Sequence, residues 1–286
     1  MSRDAPRAER PDYDLLDAGD GRRLERFGER VVDRPAPAAT GTRLGDFFAW
    51  RRADLRFDPG GEWIGAPAAL EPWPVAIDGL TLELRPTASG GLGIYPEHAA
   101  NLAWVTARVR DRVAAAARGE APQVLNLFAH TGLVTLAAAR AGAAVAHVDA
   151  SNGAVDWARR NASLSGLDDR PVRWLVDDAG AFVAREARRG RRYDGVVLDP
   201  PSFGRAGRRQ WKLAAELPTL LAACRSVAAD DAFVLLTSHT TGLDGAALLG
   251  ALREAFGAGS TEVDRLTLEA ESSARLELGW AVRRAG

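Results

Sequence analysis

The sequence predicts an α/β protein: a doubly wound, seven-stranded sheet with an antiparallel last strand, preceded by a small β subdomain. Three observations predict it. From about residue 96 onward, short apolar runs of the kind found in buried parallel strands alternate strictly with helical stretches. That alternation closes on two successive strands with no helix between them, the pattern of an antiparallel hairpin edge. Ahead of it, residues 12–95 hold short β-like segments separated by Gly, Pro and Asp.

Residues 1–11 are charged and contain proline, and read as a disordered N-terminus. Strands are expected at 13–17 and 22–27 around the turn Ala18-Gly19-Asp20-Gly21, with a third over 31–32 that Pro35 and Pro37 end. Further short strands fall at 55–57, 75–77 and 80–85. Trp50, Trp63 and Trp73 read as core filling for this subdomain in preference to base stacking. Within residues 96–286 the expected strands are 124–128, 144–148, 172–176, 193–198, 233–238, 261–268 and 275–282. The helices are 99–117, 133–141, 154–164, 180–189, 212–226 and 244–256.

A length of 286 residues with 47% hydrophobic and 26% charged residues can bury a sizeable core without metals or disulfides. The net charge of −1 gives no global footprint for nucleic acid, though a local basic patch would suffice. Cys224 is the sole cysteine, which excludes intrachain disulfides and cysteine-rich zinc sites, and no metal is expected. The first ten residues are polar and no run of about 18 apolar residues exists, so a cytoplasmic location is expected.

The chemistry-bearing residues sit where predicted strands end. The first βα turn reads Asn126-Leu127-Phe128-Ala129-His130-Thr131-Gly132, and ligands in such sheets bind outside the carboxyl ends of the strands. Gly132 would let backbone approach a ligand closely. The turn is not GxGxxG and no Walker lysine follows, so pyrophosphate binding is poorly supported. Asp149 ends the second strand, followed by Ala150, and is placed to accept hydrogen bonds from an adenosine ribose diol. Capping of the next helix is its competing role, although Ser151 and Asn152 are more obvious caps. Asp177-Asp178-Ala179 follows the third strand: a carboxylate here suits an adenine amino group, with Ala179 packing on the ring, and either aspartate would also serve as an N-cap. Asp177 is preferred for the adenine.

Asp199-Pro200-Pro201-Ser202-Phe203 after the fourth strand is the most specific segment. Successive prolines fix φ and remove two donors, giving a rigid loop. Phe203 offers a flat face for a planar base, and Asp199 can accept hydrogen bonds from an exocyclic amine. A purely structural Pro-Pro turn is the alternative.

Together Asn-Leu-Phe-Ala-His-Thr-Gly, Val-Asp-Ala-Ser, Asp-Asp-Ala and Asp-Pro-Pro-Ser-Phe resemble the class I S-adenosylmethionine (SAM)-dependent methyltransferases, over roughly residues 95–284. More closely they resemble the bacterial large-subunit rRNA methyltransferases that act on guanine or cytosine. The resemblance implies a Rossmann-like sheet and SAM as cofactor. It implies that the turn from Asn126 to Gly132 lines the methionine portion, that Asp149 binds the ribose and Asp177 the adenine. Asp199, Pro200, Pro201, Ser202 and Phe203 would meet the target base. The segment 93–98 would close over the cofactor, or His98 would merely cap a surface helix.

Two departures from that pattern matter. Relatives that methylate carbon-5 of cytosine use a cysteine after the fourth or fifth strand, where this chain has Ser202 and Phe203, then Thr237-Ser238-His239-Thr240. Cys224 falls inside a predicted helix and reads as core. Serine without an activating base is too weak a nucleophile, so transfer to a nitrogen is preferred. The second departure is that no RNA-binding domain is appended. A basic cluster of Arg205, Arg208, Arg209 and Lys212 with Trp211 follows the Pro-Pro loop and suits phosphates and a stacked base, or is a solvated loop.

The expectation is therefore a methyltransferase acting on a nucleobase nitrogen in RNA, with rRNA guanine favoured. A small-molecule or protein methyltransferase and a non-catalytic RNA-binding or assembly factor remain alternatives, since fold does not fix substrate. A NAD(P)-dependent oxidoreductase is disfavoured, because neither GxGxxG nor a Tyr-x-x-x-Lys is present.

Overall fold

Asp20-Gly21 and Asp78-Gly79 both place two consecutive residues at positive φ (53° and 73°, 49° and 70°), the two-residue turn whose twist matches paired strands. The first joins β1 (Tyr13–Gly19) to β2 (Arg22–Phe27), and the second joins β6 (Trp73–Ile77) to β7 (Leu80–Leu84). The computed structural model describes residues 12–116, 120–206, 209–270 and 272–286, and among these the side chains outside 204–211. The expectation for residues 1–11 lies outside the described residues. The chain divides into two units, Met1–Pro96 with Leu268–Leu276, and Glu97–Thr267 with Glu277–Gly286.

In the first unit β1 and β2 continue into β3 (Arg30–Pro35), β4 (Leu55–Phe57) and β5 (Trp63–Gly65), a five-stranded sheet in sequence order. Two short helices went unforeseen: α1 (Phe47–Arg51), capped by Asp46, and α2 (Pro67–Leu70), which opens on a proline. Helices of five and four residues are too short to show a 3.6-residue period. Trp50 and Trp73 are buried, and the half-buried Trp63 donates its indole N–H to the Thr87 carbonyl, so all three serve packing.

The second unit begins within a 3₁₀ turn (Pro96–His98) and continues as α3 (Ala99–Ala115). There follow β8 (Gln123–Leu127), α4 (Leu133–Arg140), β9 (Ala144–Asp149), α5 (Asn152–Leu164), β10 (Val172–Val176), α6 (Ala179–Arg188) and β11 (Tyr193–Leu198). After β11 come β12 (Phe203–Ala206), β13 (Arg209–Lys212), α7 (Leu213–Val227), β14 (Ala228–Ser238), α8 (Gly245–Phe256), β15 (Thr261–Glu269) and β16 (Arg275–Arg284). The seven-stranded sheet runs β10-β9-β8-β11-β14-β16-β15. Pairings from β10 to β14 are parallel, and β16 enters antiparallel to β14, leaving β15 at the edge.

Alternation explains the unbroken apolar runs. Along β11, Val196 and Leu198 join one buried layer with Leu221 and Leu248, while Val197 joins the opposite layer with Val105 and Val124. A strand covered on both faces has no polar side. The chain order reverses at β8, so a crevice opens between the C-terminal ends of β8 and β11.

One correction concerns the segment after the Pro-Pro loop. Read as a loop into a helix, its backbone is instead an antiparallel hairpin, with Phe203 opposite Lys212 and Ala206 opposite Arg209. Charge density hid two four-residue strands that carry no apolar alternation.

Candidate active site

The β8–α4 turn is conformationally strained. Phe128 and His130 take positive φ (56° and 48°), which costs non-glycine residues roughly 1–3 kcal/mol each. Surrounding bonds hold it: the His130 N–H donates to Asp149 Oδ2 (2.8 Å), the Ala129 N–H to the Val148 carbonyl (3.1 Å), and Asn161 Nδ2 to the Thr131 carbonyl (2.9 Å). Gly132 has φ 91°, and a Cβ there would lie 3.0 Å from the Ala158 methyl. The demand for glycine is therefore met by packing against α5.

Asn126 was expected in the ligand-facing turn. Its side chain is buried and donates to Thr135 Oγ1 (2.9 Å), which contacts His147 Nδ1 (2.9 Å), so the amide braces the interior. Thr131 is also buried, and His130 is half-buried. Burial holds the pKa of His130 below its ordinary value despite the charges of Asp149 and Asp199.

Asp149 receives two peptide N–H bonds, from His130 on Oδ2 and from Ser151 on Oδ1 (both 2.8 Å). These orient the carboxylate and leave each oxygen a further lone pair, which is what a vicinal diol requires. Ser151 caps α5, and Ala150 is exposed at the strand end. Asp178 caps α6 through Ala181 N–H (2.8 Å), while Asp177 is ion-paired with Arg185. Ala179 is buried at the start of α6. Asp149 could hold a ribose diol, and Asp177, paired with Arg185, could also accept from an adenine amino group.

On the other side of the crevice, Pro200 is buried, Pro201 exposed and Ser202 half-buried, with Ser202 Oγ 2.7 Å from Thr240 Oγ1. Phe203 is 74% exposed, an aromatic face open to solvent. The side chains of Arg205, Arg208, Arg209 and Trp211 lie outside the described residues; Lys212 is exposed. Cys224 is fully buried within α7 and its thiol is pushed up to about 12 by burial, so it supplies no thiolate.

Sequence reasoning missed the groups around Asp199. Thr237 Oγ1 lies 2.6 Å from Asp199 Oδ1, His98 Nε2 lies 3.4 Å from Oδ2, and His239 Nε2 lies 3.8 Å from Oδ1. Burial would raise the Asp199 pKa, but the hydrogen bond and charge of His98, the charge of His239 and the Thr237 hydroxyl hold it well below the ordinary carboxylate range. His98 is buried and makes no cap bond, so it is not a surface capping residue. Burial opposes its charged form, yet Asp199 and Glu97 outweigh this and draw its pKa upward. One signal was available: the chain has only four histidines, and His98, His130, His147 and His239 all lie at this edge or just beneath it.

A family model described as S-adenosylmethionine-dependent methyltransferase matches residues 17–229. The crystal structure of a SAM-dependent methyltransferase from Agrobacterium tumefaciens is 32% identical, with a TM-score of 0.89 over 96% of this chain and 91% of that one. The ribosomal RNA large subunit methyltransferase K of Neisseria meningitidis serogroup B is 41% identical over 95 residues. The corresponding methyltransferase I of Shewanella amazonensis is 42% identical over 96 residues. Each match covers 33% of this chain, and 26% and 24% of those relatives, so the chain spans about a quarter of their length. With the β8–β11 crevice, the clamped Asp149 and the match over most of its length, the chain belongs to the S-adenosylmethionine-dependent methyltransferase family.

Proposed function

We propose that this chain methylates a ring or exocyclic nitrogen of a nucleobase in RNA, with guanine in rRNA the favoured target. The observation that carries this reading is Asp199: a carboxylate kept ionised at the start of a Pro-Pro loop that ends on an exposed phenyl ring. An ionised acceptor beside an aromatic platform suits a planar base bearing N–H groups. The names of the rRNA methyltransferases that match part of the chain support an RNA substrate.

SAM, when bound, supplies an electrophilic methyl group. Asp149, Ala150, Asp177, Asp178 and Ala179 would hold its adenosine, and the turn from Phe128 to Gly132 its amino-acid end. Asp199 would accept a hydrogen bond from the target N–H and aim the nitrogen lone pair at the methyl group, while Phe203 stacks on the base. Such catalysis is mostly positioning. The buried Cys224 offers no covalent route to a base carbon.

The test is methyl transfer from labelled SAM to rRNA and tRNA, read by mass spectrometry of nucleosides. Asp199→Asn should reduce turnover about a hundredfold or more while leaving SAM affinity within a few-fold. Label in a small molecule or protein, with none in RNA, would replace the substrate assignment; undiminished turnover in Asp199→Asn would remove Asp199 from the chemistry.

A further inference from the structure

A nitrogen that bears N–H and has gained a methyl group carries a surplus proton, and Asp199, held far below the ordinary carboxylate range, is a poor final acceptor. The two histidines beside it differ in a way their hydrogen-bond partners decide. Arg283 has only donors, and its Nε and Nη2 both contact Asn101 Oδ1 (3.1 and 2.9 Å). That fixes the Asn101 amide with Nδ2 towards His98 Nδ1 (3.1 Å). An amide NH₂ only donates, so His98 Nδ1 accepts and the ring proton sits on Nε2, facing Asp199 Oδ2. A second proton on His98 could bind only at Nδ1, against the Asn101 N–H. Asp199 and Glu97 favour that charge, but protonating Nδ1 would cost His98 the Asn101 bond and turn the amide away from Arg283.

His239 is arranged the opposite way. Its Nδ1 lies 2.9 Å from the Leu278 carbonyl, which only accepts, so Nδ1 carries the proton and Nε2 presents a lone pair 3.8 Å from Asp199 Oδ1. The His239 side chain is 30% exposed, against 7% for His98, so of the two rings His239 is the one that reaches the surface.

We infer that His239 takes the proton released by the methylated nitrogen, with Asp199 as the bridge between them. The inference rests on the proposed transfer to nitrogen. The N–H bond breaks with its electron pair returning to nitrogen, the proton moves along Asp199 Oδ1, and a new N–H bond forms at His239 Nε2. The groups facing His239 receive this charge: Asp199 on one side, Glu97 Oε1 at 3.8 Å from Nδ1 on the other, with the His98 ring 5.5 Å away and His130 sensing Asp199 from the β8–α4 turn. His239 acts through Asp199 and is a positioning residue for proton release. The ligand atoms of His98, Asp199 and His239 lie within 4.8 Å of one another, a spacing a metal ion could use. A metal would need a lone pair on His98 Nε2, where the Asn101 bond places a proton.

The test has two arms, both on the full chain. In the free protein, nitrogen-15 shifts of the histidine rings should show the Nε2–H form for His98 and the Nδ1–H form for His239. The reverse form at His239 overturns the inference whatever the substrate proves to be. In single-turnover methyl transfer, His239→Gln should turn over about a hundredfold more slowly, the lower end for general-base catalysis, with SAM and RNA affinities unchanged. A rate within a few-fold of wild type, or a loss that appears in affinity and not in rate, overturns the inference. A wild type that labels no RNA refutes the substrate reading instead, and the ring-nitrogen shifts still decide the tautomers.

Discussion

His147 shows how a single buried side chain ties the candidate site to stability. It is fully buried under the β8–α4 turn, contacts Thr135 Oγ1 and the Trp174 ring, and burial pushes its pKa down to about 3. The sign follows from proton counting. Unfolded, the imidazole titrates near 6.5, so between about 6.5 and about 3 the unfolded chain binds a proton that the native protein refuses. This contribution to stability is fully present above pH 6.5 and is lost as pH falls through that window, by up to about 1.4 kcal/mol per unit. Urea midpoints should drop between pH 7 and pH 5 in the wild type and drop less in His147→Asn. Equal slopes would show that His147 is not the group responsible. The same residue illustrates a limit of reading positions in isolation: Asn126 reads as part of the ligand-facing turn, yet its amide turns inward to pair with Thr135 of α4 beneath the loop.

At the scale of elements, β2 carries the sharpest energetic feature of the first unit. Its alternation brings Glu25 into the interior, where Arg34 (2.6 Å), Arg23 (3.2 Å) and the Tyr13 hydroxyl (3.1 Å) surround it. Burial raises the Glu25 pKa, and the two arginines more than reverse that, so the carboxylate stays charged. Glu25→Ala would leave Arg34 buried without its counter-charge, and breaking such a pair costs about 3–5 kcal/mol. Chemical denaturation should register that loss; a change below about 1 kcal/mol would mean the arginines find other acceptors. Local patterns foretold β1, β2, β6 and β7 because Asp-Gly turns and alternation are written over a few residues. They did not foretell the β12–β13 hairpin, whose strands lack an apolar face.

For the whole molecule, a net charge of −1 means that the proposed attraction to RNA would have to come from a local patch rather than from the overall field. Arg205, Arg208, Arg209 and Lys212 form the proposed patch. If those four groups each meet a phosphate of single-stranded RNA, affinity should fall about 50-fold between 50 and 200 mM salt, and Arg208→Gln with Arg209→Gln should halve the logarithmic slope. Filter binding across that salt range checks it, and an unchanged slope in the double variant moves the contact elsewhere.

The sequence by itself determined the succession of strands and helices and the order in which Asp149, Asp177 and Asp199 meet one edge of the sheet. It could do so because right-handed parallel βαβ units bring every strand's C-terminal end to the same side, so position in the chain becomes position in the site. Only the tertiary structure decided what surrounds Asp199. His98, Asn101, His239, Leu278 and Arg283 come from a turn, a helix, the end of β14 and strand β16, and the bonded pair Asn101 and Arg283 lies 182 residues apart. No short-range period or turn motif joins such positions; their pairing exists only once β16 inserts beside β14 and the helices close over the sheet.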